Sequence, residues 1–334
     1  MEGVRVFGRK RKTLPDGIPM RTDERASRED IYYCFRLILG RNPDPEEIPG
    51  HFARAGADLT AIVSTYVNSL EFARRKLLAA PGDDTYVQAE IEGFRLMVGA
   101  NDEDVGKPVL AGGYEAHVTR VFRERLRPGM RVVDVGANIG YFSMLAASLV
   151  EESGHVLAFE PNPENGRLLE CSRRLNGYEQ VQLYQTAASD RDGLLVLNAT
   201  HSNGTTSRID DAQALLTART VPCLQLDPIL LRGGKVDFIK IDVEGAEYLA
   251  LSGARELLAR DRPAIVSEFS PSTMPGISGV DGPTYLRFLA ELGYRYTVLG
   301  DDPAGLDCGR DVGRVMNAYA GAGGDHIDFL AVCD

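Results

Sequence analysis

The segment Val133-Asp134-Val135-Gly136-Ala137-Asn138-Ile139-Gly140 is a short apolar run that ends in a loop with two glycines. Apolar residues follow at helical spacing over 141–150, so the segment predicts a strand, a tight turn and a helix. In open α/β sheets, ligands bind at such loops, beyond the carboxyl ends of the strands. Gly136 allows a ligand to approach the backbone closely, and Gly140 opens the helix. The segment therefore predicts a binding site for a nucleoside-type cofactor.

Strand-like and helix-like segments alternate after this loop. Such alternation indicates an α/β fold with a mostly parallel sheet that is covered by helices on both faces. The seven strand-like runs lie at 131–135, 155–159, 181–186, 236–241, 264–269, 294–299 and 327–332. Additional strand-like pieces predict an inserted hairpin within 193–231, between the third and fourth strands.

The rest of the sequence suggests four parts. We expect a polar tail over 1–26 and a small helical accessory domain over 27–80, where apolar residues recur at helical spacing. A helical linker and substrate-side segment is expected over 81–126. The catalytic α/β domain is expected over 127–334.

Composition excludes several classes of protein. The formal net charge of −11 argues against a nucleic-acid partner, which would require a basic face. The five cysteines are scattered without a C-x-x-C pair, which disfavours a disulfide framework or a zinc site. No apolar run is long enough for membrane insertion. We expect a cytoplasmic enzyme, and a homo-oligomer remains open.

Two features of the loop distinguish between possible cofactors. Its Gly-x-x-x-Gly spacing differs from that of dinucleotide sites, and the Asp134 carboxylate would repel a pyrophosphate. A cofactor with an ammonium and a sulfonium, S-adenosylmethionine, is favoured instead. Glu160, at the end of the second strand, is placed to accept both ribose hydroxyl protons. Ala188 and Asp190, after the third strand, are expected near the adenine.

The same residues resemble the FkbM family of methyltransferases. The most specific part of the resemblance is Ile239-Lys240-Ile241-Asp242-Val243-Glu244-Gly245-Ala246-Glu247, and further parts are the glycine loop, 159–163, Asn203-Gly204 and Leu226-Asp227. The resemblance implies a Rossmann-like class I methyltransferase fold and S-adenosylmethionine-dependent O-methylation of sugars or natural-product hydroxyls. The cofactor residues expected on both grounds are Asp134, Gly136, Ala137, Asn138, Gly140, Glu160, Pro161, Asn162, Ala188, Asp190 and Asp242.

The predicted helical domain shows a second resemblance. Residues 35–45 and 69–72 are similar to a small domain of unknown function that is found beside glycan-modifying enzymes. This resemblance favours a saccharide acceptor over other small molecules.

Methylation of a hydroxyl needs a group that takes up its proton, because sugar hydroxyls are weak acids. The candidate catalytic residues are Asp242, Glu244, Glu268 and His201. Glu247 and, before the first strand, Glu115 and His117 are further candidates. Asp242 is the first choice, although Asp242 or Glu244 could instead cap the helix that begins near Gly245. The carboxylates could also hold Mg²⁺, a cation that takes oxygen ligands.

Several functions remain open. The acceptor could be a hydroxyl of a sugar, a glycan or a glycosylated product, or of a non-sugar natural product such as a macrolide. A non-catalytic scaffold that binds the cofactor is a third possibility. A nicotinamide dehydrogenase is disfavoured by the spacing of the glycine loop.

Overall fold

The structure, a computed structural model, describes residues 24–75, 86–199, 202–209 and 214–333. Most of the expected polar tail and the candidate base His201 lie outside these residues. The chain divides into two compact units, Met1–Gly82 and Asp83–Asp334. In the described ranges, no helix has the length and apolar character needed to cross a bilayer.

The first unit is a small helical domain. Its helices are α1 (Arg28–Tyr33), α2 (Ile48–Phe52), α3 (Leu59–Val67) and α4 (Leu70–Arg75), with a π-helical turn over Cys34–Ile38. A capping box starts α1, because the Ser27 hydroxyl accepts the Asp30 N–H and the Asp30 carboxylate accepts the Ser27 N–H. Ile31, Phe35 and Ile62 form the buried centre.

Arg41 joins three parts of this unit. Its guanidinium donates to both carboxylate oxygens of Glu47, at 2.7 and 2.8 Å, and to Glu71 Oε2 at 2.8 Å. The guanidinium carbon also lies 5.1 Å from the centre of the Phe35 ring. Planar, paired contacts of this kind suit arginine and not lysine. Arg41 therefore holds the segment between the π-helical turn and α2 against α4.

The second unit contains the strands and the remaining helices. The strands are β1 (Tyr86–Ile91), β2 (Phe94–Gly99), β3 (Arg131–Val135), β4 (His155–Phe159), β5 (Val181–Tyr184), β6 (Ala187–Ala188), β7 (Gly193–Ala199), β8 (Gly204–Ser207), β9 (Thr220–Leu224), β10 (Phe238–Ile241), β11 (Ala264–Phe269), β12 (Tyr294–Val298), β13 (Leu306–Gly309) and β14 (Ile327–Cys333). The helices are α5 (Gly106–Ala111), α6 (Ala116–Arg125), α7 (Tyr141–Val150), α8 (Pro163–Asn176), α9 (Ala214–Thr217), α10 (Asp227–Leu230), α11 (Glu247–Ser252), α12 (Arg255–Asp261), α13 (Met274–Ile277), α14 (Gly282–Glu291) and α15 (Val312–Ala322).

The main sheet has the order β13-β12-β14-β11-β10-β3-β4-β5. The five strands from β11 to β5 are parallel, and β14 runs antiparallel to both its neighbours, β11 and β12. The α/β class is as predicted, but the sheet has eight strands and not seven. The additional strand, β13, forms a bulged antiparallel pair with β12. Its residues Leu306 and Asp307 are exposed at the edge of the sheet, so β13 lacks the buried apolar run from which the other strands were predicted.

The expectation of a helical segment over 81–126 is wrong for its first part. β1 and β2 form an antiparallel hairpin, whose turn residues Glu92 and Gly93 both have positive φ. Phe94, Leu96 and Val98 are buried on one face of β2. Burial of every second residue is the pattern of a strand. The hairpin packs against α8, where the Ser172 hydroxyl accepts the Met97 N–H at 2.9 Å. Only α5 and α6, further along, are helical.

The predicted insertion is confirmed as part of a second sheet. Its strands follow the order β6-β9-β7-β8, and β7 pairs with β8 as an antiparallel hairpin. The turn of this hairpin, at Ser202 and Asn203, lies beside the loop that follows β3.

Candidate active site

A cavity of about 370 Å³ opens at the carboxyl ends of β3, β4, β10 and β11. Eight residues expected at a cofactor line it: Gly136, Ala137, Asn138, Glu160, Pro161, Asn162, Ala188 and Asp242. The candidate catalytic carboxylates Glu244 and Glu268 line it as well. The strand ends thus bring together residues that are more than 130 positions apart in the sequence.

Gly136 brings the loop after β3 close to the end of β10. It has a φ of 80°, and a Cβ at this position would lie 1.8 Å from the backbone oxygen of Asp242. No larger residue fits without moving one of the two strands. The following turn contains Asn138, which also has a positive φ.

Glu160 is held by backbone groups on two sides. Its Oε2 accepts the Asn138 N–H at 2.8 Å, and its Oε1 accepts the Asn162 N–H at 2.7 Å. The residue is 5% exposed, and burial raises its pKa to about 7. Each carboxylate oxygen has a second lone pair, so Glu160 can accept two further hydrogen bonds from a ligand.

The hairpin of the insertion is fastened to this loop by amide groups. Asn138 Nδ2 donates to Asn203 Oδ1 at 3.0 Å, and Asn165 Nδ2 donates to the backbone oxygen of Ser202 at 2.7 Å. Ser202 and Asn203 line the cavity. The hairpin therefore forms a wall of the cavity that is attached to both the glycine loop and α8.

A buried ion pair lies at the end of β10. Lys240 is 5% exposed, and its Nζ donates to Asp242 Oδ2 at 2.8 Å. The same Nζ lies 4.7 Å from the centre of the Phe142 ring. Burial opposes the charges of both groups, but their mutual attraction outweighs it, so the pKa of Lys240 is raised and that of Asp242 is lowered. Both side chains are thus ionised.

Glu244 and Glu268 converge on Asp242. One carboxylate oxygen from each of the three lies within 4.8 Å of the other two. Burial, followed by the charges of Asp242 and Glu244, raises the pKa of Glu268 to about 11. Glu268 therefore carries a proton at neutral pH and is hydrogen-bonded to Asp242, and it also accepts from the Ser270 hydroxyl at 2.7 Å.

The helix after β10 is not capped by these carboxylates. Its N-cap is Ala246, which has no side-chain cap, and Glu247 Oε1 accepts the N–H groups of Val243 and Gly245 at 3.1 Å each. The capping alternative for Asp242 and Glu244 is therefore wrong, and Glu247 supports the loop.

Residues before β3 complete the cavity. Tyr114 and Glu115 line it, and burial raises the pKa of Glu115 to about 7. His117, one of the sequence candidates, instead pairs with Asp328 through Nε2 and Oδ2 at 2.6 Å, outside the cavity wall. Asp325 and His326, just before β14, line the cavity as well.

Residues 134–296 match the methyltransferase FkbM domain. This domain of the chain belongs to the FkbM methyltransferase family. It is an S-adenosylmethionine-dependent methyltransferase domain with the α/β fold of that class. The match spans β3 to β12, and so includes the glycine loop, Glu160 and the three carboxylates.

Individual relatives of the FkbM domain are distant. The chain is 22% identical over 198 residues to the 2-O-methyltransferase NoeI of Sinorhizobium fredii, covering 54% of this chain and 78% of NoeI. It is similar to the crystal structure of an FkbM methyltransferase from Methylobacillus flagellatus, with 17% identity, a TM-score of 0.39 and coverage of 64% of this chain. The chain spans about half (50%) of that protein's length. M. jannaschii TYW2 in complex with AdoMet has 15% identity, a TM-score of 0.41 and coverage of 75% and 86% of the two chains.

Three expected cofactor residues do not line the cavity of the FkbM domain. Asp134 is fully buried, accepts the Ser143 hydroxyl at 2.6 Å, and has its pKa raised by burial. Gly140 packs against α8, where a Cβ would lie 2.7 Å from Leu169 Cγ. Asp190 is hydrogen-bonded to Ser189, directly after β6 of the second sheet. A position near the loop in sequence did not ensure a side chain directed into the cavity.

The residues that sequence reasoning missed are Lys240, Tyr114 and His326. A lysine inside the apolar run Phe238-Ile239-Lys240-Ile241 was a usable signal, because a lysine is almost never fully buried without a partner. No signal of this kind marks His326, whose Nδ1 lies 2.8 Å from Asp325 Oδ1.

Proposed function

We propose that this chain is an O-methyltransferase that acts on a hydroxyl of a sugar, a glycan or a glycosylated natural product. The observation that carries the proposal is the convergence of Asp242, Glu244 and Glu268 beside the cofactor residues. Glu160 directly follows β4 and Glu268 is the penultimate residue of β11, and two other strands separate β4 from β11 in the sheet. The cavity thus has room for a nucleoside near Glu160 and for an acceptor near the carboxylates.

The residues near Glu160 fit S-adenosylmethionine. Gly136 gives a ligand access to the backbone, and Glu160 is oriented by two N–H groups with lone pairs left for a ribose diol. When bound, S-adenosylmethionine supplies a methyl group on a positively charged sulfur. Asp242 and Glu244, on the side of the glycine loop away from Glu160, would attract this positive charge.

The acceptor hydroxyl needs orientation and a group that takes up its proton. Asp242 is held ionised by Lys240, so it accepts the hydroxyl's hydrogen bond. Burial and the charge of Asp242 raise the pKa of Glu244, which makes Glu244 the better group to keep the proton. Glu268 already carries a proton and keeps Asp242 in place.

The same three carboxylates fit a divalent cation poorly. Asp242 Oδ2 already accepts from Lys240 Nζ, and Glu268 Oε1 accepts from the Ser270 hydroxyl, so a cation would have to compete with these donors. Mg²⁺ binds to ionised carboxylates and waters in near-octahedral geometry. We therefore derive no catalytic step from a metal ion.

One observation supports an oxygen acceptor, and a second favours a saccharide. NoeI, the distant relative, is named as a 2-O-methyltransferase, and methylation of a numbered hydroxyl agrees with an oxygen acceptor. The first unit resembles a domain found beside glycan-modifying enzymes through 35–45 and 69–72.

The test is transfer of labelled methyl from S-adenosylmethionine to a panel of free sugars, sugar nucleotides, oligosaccharides and macrolides. We expect label on a saccharide hydroxyl and about 100-fold slower transfer by Glu244→Gln, as for loss of a proton acceptor. Glu291→Gln, exposed on α14, is the matched control. Transfer to non-saccharide acceptors alone would overturn the choice of substrate, and undiminished transfer by Glu244→Gln would overturn its role.

A further inference from the structure

Glu115 has an unusual backbone conformation at the cavity wall. Its φ of 41° and ψ of 55° lie in the left-handed region, which is unfavourable for a residue with a Cβ. Glu115 occupies the N-cap position of α6, yet its side chain makes no capping hydrogen bond. Non-glycine residues held in this region are concentrated at functional sites. The side chain lines the cavity instead of stabilising its own helix.

Among the described residues, Glu115 has no direct ion pair of the kind that Asp242 forms with Lys240. Asp242 pairs with Lys240, Glu268 accepts from Ser270, and Glu160 is fixed by backbone N–H groups. Glu115 forms no salt bridge with a basic side chain in the described part of the chain. Its hydrogen bond is to Tyr114. Lys240 lies near enough to attract its charge, and Asp242 and Asp328 lie near enough to repel it.

The position of Glu115 fits the amino-acid end of the cofactor. Lys240 is in register with Asp134 on β3, and their side chains share the sheet face that is covered by α7. α6 packs on α7, which places Glu115 on this same face. β4, β3 and β10 are consecutive in the sheet, so a nucleoside held at Glu160 can extend across the glycine loop toward β10. A cation arriving there meets Glu115.

We propose that Glu115 binds the α-ammonium of S-adenosylmethionine. This inference rests on the proposed function, because it assumes that S-adenosylmethionine occupies the cavity. Glu115 is then a binding residue that recognises the amino-acid part of the cofactor and plays no part in the proton transfer. The strained backbone is the cost of directing the carboxylate into the cavity.

Calorimetry with two ligands tests the proposal. The ligands are S-adenosylhomocysteine and its deaminated analogue, which differ only by the ammonium. We expect Glu115→Gln to weaken S-adenosylhomocysteine binding by about 10- to 100-fold and to leave binding of the deaminated analogue unchanged. Glu124→Gln, exposed on the same helix, should affect neither ligand.

A second variant separates binding from folding. Glycine adopts the left-handed region without strain, so Glu115→Gly should melt at or above the melting temperature of the parent. It should still lose the preference for S-adenosylhomocysteine over the deaminated analogue. Equal loss of both ligands, or an unchanged preference with reduced turnover, would overturn the role of Glu115. Failure of the parent protein to bind S-adenosylhomocysteine would instead overturn the proposed function.

Discussion

Lys240 Nζ lies 2.8 Å from Asp242 Oδ2, and this contact links the interior of the sheet to the cavity. The two side chains are 6% and 23% exposed. They are two residues apart, and so on the same face of β10 and its extension. Asp242 is therefore both a residue of the cavity wall and the counter-ion of a buried lysine.

We expect Asp242→Asn to lower the free energy of unfolding by ~3 kcal/mol, because it leaves the Lys240 ammonium buried without its charge partner. Lys240→Met combined with Asp242→Asn should recover much of this loss. Urea denaturation measures both, with the exposed Asp301→Asn as control. If the single and double variants are equally unstable, the pair has no stabilising role.

Glu160→Gln should weaken binding of S-adenosylhomocysteine by about 10- to 100-fold, since the amide has one acceptor oxygen in place of two. Its NH₂ group would also face one of the N–H groups that now donate to the carboxylate. Calorimetry on this variant and on Glu152→Gln, an exposed control, gives the comparison. Equal affinities would mean that Glu160 does not contact the ligand.

Gly136→Ala should abolish cofactor binding and lower stability by at least ~1–3 kcal/mol, because its Cβ would lie 1.8 Å from the backbone oxygen of Asp242. Gly234→Ala is the control, as no atom lies within 4 Å of a Cβ there and its φ is not positive. Thermal melting with and without ligand reports both effects. A Gly136→Ala protein that melts and binds like the parent would contradict the observed closeness of β3 and β10.

The stability of the protein should depend on pH through Glu268. Its folded pKa, about 11, is above the ordinary value of 4.5, so the unfolded chain releases this proton first as pH rises. The stabilisation of the folded state by this proton is complete below about pH 4.5. It is lost as the pH rises toward 11, by at most ~1.4 kcal/mol per pH unit. Glu268→Gln, which does not titrate, should therefore gain stability relative to the parent between pH 5.5 and 8.5. If the free energies of unfolding of the two proteins change with pH in parallel, Glu268 is not protonated in the folded state.

Removal of divalent cations should leave methyl transfer unchanged. Lys240 Nζ already supplies a positive charge to Asp242, and the Ser270 hydroxyl donates to Glu268, so both carboxylates have partners without a metal. Initial rates before and after dialysis against a chelator test this expectation. A rate that falls with chelation and returns with Mg²⁺ would show that the carboxylates bind a metal during turnover.

Much of the fold could be predicted because its signals are local. Apolar runs marked seven of the eight described strands of the main sheet, and the turn residues around Gly136 marked the binding loop. The hairpin of β1 and β2 was missed although Phe94, Leu96 and Val98 alternate along it. β13 was missed because its residues carry little apolar pattern.

The sequence by itself determined the class of the fold and the family. It also determined the strand ends that carry Glu160, Asp242 and Glu268. These features could be recognised because periodicity and motif spacing are properties of neighbouring residues. It did not determine which side chains point into the cavity. That depends on sheet register and on helix packing, which bury Asp134 beneath the loop, pair Lys240 with Asp242 and bring Glu115 to the wall. Except for the Lys240–Asp242 pair, these contacts join residues distant in sequence. The charges of these groups interact strongly because the folded chain excludes water around them.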